Sequence, residues 1–559
     1  MDVKRIVLFS SLAVVAYLLM LQWNTDYQQK DVQASAPQVQ QLAPNNNLAL
    51  DDNEVLKLDK SSANTIEALP SATSTTQNLI SVKTDTFDIR INPKGGDLVY
   101  AALLQHKAQV KSQDPFVLLQ DDQYRHYVVQ SDLSGLGNKQ RLNLTSQQNN
   151  YVLAAGDDQL KVRLTADVDG VALTKTFTFT RGSHLIKVDY QLDNASNRTL
   201  NTSFIGLIKR DASADPSQSE AMGMKAYLGG AFSTDEKRYQ KVDFDDIKNN
   251  GFKVDSVGGW AAMLQHYFIA SWIPSQTESS FFSTRTDRAG NYIVGFNGSE
   301  YLVEPGNTAQ LSADIYIGPK IQDDMKAVAP NLELTVDYGF LWFIAQPLFW
   351  LLDFIHGYVG NWGFAIILVT VAIKAAFYKL SATAYRSMAN MRRVAPKLTR
   401  IKEEAGDDRQ KLSQAMMELY KKEKINPMGG CLPILVQMPV FIALYWMLME
   451  SVELRHAPFI LWIADLSMKD PYFVLPIIMG ASMFIQQLLN PTPPDPMQAK
   501  IMKMLPIIFT FFFLFFPAGL VLYWVVNNLL SILQQWYITR KIENEDKDKD
   551  KHKDKLAKT

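Results

Sequence analysis

A chain of 559 residues with 56 Lys and Arg against 57 Asp and Glu presents no global field for nucleic acid, and it is long enough for more than one domain. Its single cysteine, Cys431, excludes a disulfide framework and any multi-cysteine metal site. The 47% hydrophobic content is concentrated in long runs after residue 340, and the charge is spread just as unevenly.

In chain order, Lys4 and Arg5 precede an apolar run from Ile6 to Leu21, closed by Trp23. The Ala34-Ser35-Ala36 tripeptide lies too far beyond this run for a cleavage site, so residues 1–24 read as a retained transmembrane anchor. Basic residues before the helix, and none just after it, place the N-terminus in the cytoplasm. Residues 25–77 are rich in Gln, Asn, Ala, Ser and Asp and read as a flexible periplasmic linker.

Across residues 78–336 the pattern turns to strands. Ile186, Val188, Tyr190 and Leu192 alternate with Lys187, Asp189 and Gln191, and Leu311, Ala313, Ile315 and Ile317 with Ser312, Asp314 and Tyr316. Period two means one buried and one wet face. Thr alternates with Lys175, Phe177 and Phe179 through 174–180, and turns such as Pro93-Lys94-Gly95-Gly96 punctuate the strands. The expectation is a periplasmic antiparallel β-sandwich. It holds no HExxH, GxSxG or phosphate-binding loop, and its histidines are dispersed.

Five further apolar stretches approach the length needed to cross a bilayer: 362–377, 428–449, 471–489, 501–516 and 518–537. The aromatic run within 337–360 also carries Gln346, Pro347, Asp353 and His356, which suits an amphipathic helix lying in the interface. Charge decides between lying flat and crossing. Residues 379–427 carry twelve Lys and Arg against six acids, whereas 450–470 carry only Arg455 and Lys469 against four. The positive-inside rule therefore puts 379–427 in the cytoplasm and gives six spans with both termini cytoplasmic. Span two covers 361–378 and spans three to six cover 428–538. Within 379–427, apolar stripes either side of Gly406-Asp407-Asp408 predict an antiparallel helical hairpin, with Pro396 kinking its first helix. The charged tail, 539–559, is expected to be solvated and without fixed structure.

Lys374 is the one charge well inside the second span, with Thr370 four residues earlier on the same face. Such a lysine can snorkel to the headgroups. Other spans also carry polar residues, however: Gln437, then Gln486 and Gln487, then Tyr523, Asn527, Ser531 and Gln535 at four-residue spacing. Polar groups facing lipid are costly, so these are expected to share one hydrated cavity. No Asp or Glu lies inside the five spans and no inverted repeat is evident, which disfavours an ion-coupled carrier.

Four runs carry a resemblance. Asn426-Pro427-Met428-Gly429-Gly430-Cys431-Leu432-Pro433 with Gln437-Met438-Pro439, Gly360-Asn361-Trp362-Gly363-Phe364, Asp495-Pro496-Met497-Gln498, and Phe516-Pro517-Ala518-Gly519-Leu520-Val521-Leu522-Tyr523 resemble the signatures of the YidC family of insertases. The resemblance implies a multi-domain protein. Five of six transmembrane helices would form a core around a hydrophilic groove closed to the periplasm, beside a periplasmic β-supersandwich and a cytoplasmic helical hairpin. It also implies an insertase and folding chaperone, without enzymatic activity or cofactor, working alone or beside the Sec translocon. Lys374 falls where the family usually has an arginine, so charge is kept and the bidentate fork is lost. Trp524 falls where close relatives often carry a second tyrosine.

In the mechanism this suggests, Arg386, Arg392, Arg393, Lys397 and Arg400 gather the ribosome and anionic membrane lipids. The polar tail of a nascent membrane protein then enters a groove lined by Lys374, Thr370, Gln437, Tyr523, Trp524 and Asn527. Burial of the client's apolar segment in lipid supplies the free energy. A transporter or channel, and a membrane-anchored glycan-binding protein or envelope enzyme, are the competing readings.

Overall fold

The computed structural model describes residues 79–556 apart from 137–140, 219–225, 407, 424–431 and 491–495. The N-terminal anchor, the linker and the Asn426–Cys431 part of the signature lie outside the described residues.

Two sheets face each other across 79–319. The first has ten strands in the order Lys253–Val257, Ser279–Thr286, Tyr292–Asn297, Phe204–Arg210, His126–Leu133, Pro115–Asp121, Asp97–Lys107, Phe87–Asn92, Ile80–Lys83 and Asn150–Val152. The second has nine: Gln240–Val242, Gly229–Ser233, Trp260–Leu264, Phe268–Ile273, Thr308–Pro319, Leu185–Asn194, Val171–Thr180, Gln159–Val168 and Thr145–Ser146. Pairings are antiparallel except between Ile80–Lys83 and Asn150–Val152, which run parallel. The alternation in the sequence is the alternation of burial. Ile186, Val188, Tyr190 and Leu192 are buried, and Lys187 and Gln191 are exposed. Across the gap, the Trp272 indole donates to the Leu207 carbonyl at 3.1 Å.

The inward row of Val171–Thr180 contains a surprise, for Lys175 stands there between Leu173 and Phe177 and is fully buried. Its ammonium donates to the carbonyls of Gly95 and Gly96, both at 2.9 Å, and lies over the rings of Phe177 and Tyr190. Burial pushes its pKa down to about 7, against the pull of Asp97. Asp97 is itself paired with Arg141, yet burial raises its carboxyl above the usual range. The tight Pro93–Gly96 turn makes this possible: Gly95 and Gly96 have φ of 77° and 65°, and a Cβ on Gly95 would strike Arg141.

One part of the second sheet, Gly229–Ser233, Trp260–Leu264, Phe268–Ile273 and the end of Thr308–Pro319, is buried on both faces. Tyr316, Trp260, Leu264 and Ile269 form one apolar cluster with Met325, Leu332, Val336 and Leu341, and this cluster continues into the C-terminal helices. That is why the alternation expected for 311–317 fails at Tyr316, which is buried like its neighbours. Polar ties cross the same junction. Lys320 Nζ lies 3.4 Å from the Glu450 carboxylate, and His266 Nε2 lies 2.9 Å from the Met449 carbonyl oxygen. The Arg455 guanidinium donates to the Ala108 carbonyl at 3.1 Å while lying over Phe116 and Phe268.

The helical part comprises α1 (Trp342–Val359), α2 (Trp362–Ala376), α3 (Tyr378–Ala405), α4 (Arg409–Lys422), α5 (Leu432–Glu450), α6 (Val474–Leu489), α7 (Pro496–Phe513) and α8 (Ala518–Leu556). By length and composition, Gly339–Val359 is the one described helix able to cross a bilayer unaided. Helix α2 and the first part of α3 would qualify only as a single span bent by 68°. With 15 residues at about 1.5 Å rise, α2 is about 22 Å long. Helix α3 continues through Pro396, and Glu423 at the end of α4 pairs back to Lys397 at 2.6 Å and to Arg393 at 3.9 Å. The tail departs from expectation: α8 runs on to Leu556 rather than ending near residue 538. The sequence supplies a reason, since Glu543 and Lys547, and Glu545 and Lys549, stand four apart, which favours helix.

Candidate functional site

The turn motifs build the end of the helical bundle nearest the sandwich. Gly360 ends α1 in the left-handed conformation at φ 64°, and the Asn361 side chain caps α2 by accepting from the Phe364 amide at 3.1 Å. The Asn361 amide group donates in turn to the carbonyls of Pro458 and Phe459. Gly363 lies so close to Phe459 that a Cβ would collide with the ring. At the start of α8, the amides of Ala518 and Gly519 donate to the carbonyls of Met468 at 2.7 Å and Leu466 at 2.9 Å. Segment 456–470 is thus strapped across the ends of α2 and α8, and closes them.

Further along the helices lies a polar seam. The buried face of α2 runs through Gly363, Ile366, Thr370, Ile373 and Lys374, so Lys374 points into the bundle. Its ammonium donates to Ser531 Oγ of α8 at 2.7 Å. Ser531 Oγ donates to the Asn527 carbonyl at 2.7 Å, and the Tyr385 hydroxyl of α3 is hydrogen-bonded to Ser531. The Gln437 side chain of α5 donates to Asn527 Oδ1 at 3.4 Å. Among the described residues no carboxylate lies within ion-pair distance of Lys374. Gln437 and Asn527 are half-buried and Lys374 is 8% exposed, so the seam is enclosed but not sealed.

Other expected groove residues stand around this seam in different ways. Thr370 is fully buried, and its hydroxyl donates to the Ile366 carbonyl of its own helix at 2.7 Å. Tyr523 stacks on Phe441 of α5. Trp524 packs among Phe441, Phe509 and Phe513, with its indole N–H buried and unpartnered among the described residues. The four-residue stripe on α8 does not converge on one cavity. Four residues advance a helix by about 400°, so the stripe winds by about 40° per step. Tyr523 and Asn527 therefore meet α5, Ser531 meets α2, and Gln535 donates to Leu489 and Asn490 at the end of α6. Sequence reading gave Ser531 no role of its own, and its place in the stripe was the available signal. Asn528, paired with Ser482 at 3.0 Å, had no such signal.

The basic residues proposed for docking lie on α3, and Arg386, Arg392, Arg393, Lys397 and Arg400 are all exposed. Arg392 donates to the Leu488 carbonyl at 2.9 Å, which braces α3 against the end of α6. Arg393 and Lys397 engage Glu423. Among the described residues no group of three His, Cys, Asp or Glu is placed to hold a metal ion.

Comparisons with known proteins cover most of the chain. Residues 79–351 match the family model for the YidC periplasmic domain, and residues 354–546 match that for the 60Kd inner membrane protein. A Pseudomonas fluorescens protein named membrane protein insertase YidC is 54% identical over 552 residues, covering 97% of this chain and 99% of its own. A Pseudomonas aeruginosa protein of the same name is 51% identical over 572 residues with the same coverage. Among solved structures, an active YidC insertase with its first transmembrane domain resolved aligns at 16% identity and a TM-score of 0.38, covering 83% of this chain and 93% of that one.

Proposed function

The chain belongs to the YidC family of bacterial inner-membrane protein insertases, and from that premise we propose that the Lys374 seam is where it receives the polar part of a client. Inserting membrane proteins is its function, and nascent membrane proteins are its clients; the transporter and envelope-enzyme readings give way to the family membership. The observation that carries the site is an enclosed ammonium held by a neutral hydroxyl, with two half-buried amides beside it. A hydroxyl offers a dipole, not a countercharge, so an acidic or polar client tail finds an unspent positive charge.

In this mechanism the seam opens toward the α3–α4 end, because the opposite end is strapped by segment 456–470. The client's polar tail exchanges water for Lys374, Ser531, Asn527 and Gln437, which lowers the cost of taking it into the bilayer. Its apolar segment leaves against α5 and α8, where Phe441 and Trp524 offer an aromatic surface. Burial of about 20 apolar residues in lipid drives the step.

The topology we propose has six spans, with the anchor followed by α2, α5, α6, α7 and the first half of α8, and with both termini cytoplasmic. Helix α1 lies in the interface, with Trp342, Phe343, Trp350 and Phe354 outward. The charge balance of 379–427 supports this reading. It makes α3 and α4 a cytoplasmic hairpin, and their exposed arginines and lysines suit ribosomal RNA and anionic lipid. Sec translocon subunits are the expected partners in the bilayer.

The test is photo-crosslinking from residues 437 and 527 to a stalled single-span nascent chain. Strong adducts at both, exceeding those from the outward-facing Leu488, are expected. Equal adducts at all three positions would remove the seam from the client's path.

A further inference from the structure

Segment 456–473, which joins α5 to α6, inverts the usual make-up of a surface loop. Every exposed residue in it is apolar or aromatic, the largest being Ile460, Leu461, Met468, Tyr472 and Phe473. Leu461, at the tip, is 85% exposed. The charges turn inward instead. Asp465 accepts from the amide and hydroxyl of Ser467, and Asp470 accepts from the amides of Tyr472 and Leu475 and from the Trp462 indole. Both carboxylates are buried, and His456 and Lys469 are half-buried. A loop in water arranges itself the other way.

The backbone agrees. Leu461 and Phe473 hold left-handed conformations at φ 54° and 57°, positions where Gly or Asn would be free of strain. A turn closed by the Phe459 amide on the Ile463 carbonyl at 2.9 Å thrusts Ile460 and Leu461 outward. The patch is also continuous with a known kind of surface. Phe459 meets the exposed Phe364 of α2 edge to face, and Tyr472 and Phe473 lead into the outward Ile477 and Ile478 of α6. In an inner-membrane protein those helix faces meet lipid. The segment lies at the sandwich end of the bundle, tied there through the Arg455 bond to Ala108 and the Ser467 bond to Tyr267.

We propose that segment 456–473 is a lipid anchor, with Ile460–Leu461 and Tyr472–Phe473 seated among the acyl chains of the leaflet facing the sandwich. The occupant is hydrocarbon and not a specific headgroup, because none of the fully exposed residues of the patch carries a charge. Since the same segment grips both the sandwich and the ends of α2 and α8, it fixes the height of the sandwich above the bilayer. The proposal rests on the reading that these helices span the membrane.

The test uses the full chain in proteoliposomes, with Cys431→Ser as background and single cysteines at Leu461, at Phe511 on the outward face of α7, and at Tyr124, an exposed residue of the sandwich. Each carries a bimane label. The Leu461 label should be quenched several-fold more by lipids with a doxyl group near the headgroup than the Tyr124 label, and several-fold less by aqueous iodide. Equal iodide quenching at 461 and 124 overturns the proposal, as does shielding from both quenchers, which would mean a protein partner. Lack of doxyl quenching at Phe511 would instead sink the spanning reading. As a companion, Leu461→Asn suits the left-handed backbone. If Leu461 were merely structural, this change would leave a bimane at Ile460 as lipid-quenched as before; an anchor loses most of that quenching.

Discussion

The sandwich and the helical bundle each bury a lysine, and they treat it in opposite ways. Lys175 is held by two backbone carbonyls, two aromatic rings and a nearby Asp97–Arg141 pair. Lys374 has one serine hydroxyl. The first is a structural knot, its ammonium directed at the carbonyls of Gly95, Gly96 and, at 3.5 Å, Ser131, with a countercharge present. The second is a charge with capacity to spare. Burial alone therefore does not mark a functional cation; incomplete neutralisation beside half-open amides does.

That contrast can be broken, and the largest effect is expected in the sandwich. Asp97→Ala leaves the buried Arg141 and Lys175 without the carboxylate they share, only Asp132 remaining nearby, and should cost about 3–5 kcal/mol, read by denaturant melts of the detergent-solubilised protein. A loss below about 1 kcal/mol would mean that the knot is not the structural element described. Next comes the seam between the two regions. Glu450→Gln leaves Lys320 with the Thr335 carbonyl at 3.3 Å and a neutral amide, at a cost of about 2 kcal/mol, seen as faster proteolysis between the sandwich and the helices.

In the helical bundle the reading demands function without stability. Lys374→Glu should slow insertion of a client with an acidic tail by about tenfold or more, equivalent to about 1.4 kcal/mol, while Lys374→Arg retains it. Equal insertion by wild type and Lys374→Glu in proteoliposomes would take Lys374 out of the mechanism.

A gentler probe is pH. Burial holds the His106 and His184 rings down to about 4, whereas in the unfolded chain they titrate near 6.5. The unfolded state binds these protons first as pH falls, so stability should decline progressively from about pH 6.5 to about 4. His184→Phe should flatten the slope, since its Nε2 is buried without a partner among the described residues and its ring lies against Phe87 and Tyr316. The smallest effect is expected at Glu423→Gln on the exposed hairpin: no measurable change in melting temperature, because Lys397 and Arg393 simply return to water.

Much of this molecule was legible in one dimension. Strands such as 185–194 announce themselves because a half-buried strand must alternate, and the apolar runs mark the helices because a long apolar segment has few other fates. The tail was misread because a low-hydropathy, charge-alternating segment looks unstructured by composition, while its opposite charges also stand at helical spacing. The winding of the α8 stripe was missed for a related reason: four-residue spacing approximates a face but drifts from it.

Alternation, apolar run length and the asymmetry of charge are local properties, and they determined that a β-sandwich precedes a helical membrane region with one lysine out of place. Which groups neutralise which charges is not local. Lys175 reads like any other strand lysine, yet it meets Gly95 and Gly96, some 80 positions away; Lys374 finds Ser531 at 157. The shared core of the second sheet and the helices, and the inward-turned charges of segment 456–473, likewise exist only once the chain is packed. Contact across such separations depends on the closing of the whole fold, and a sequence window carries no record of it.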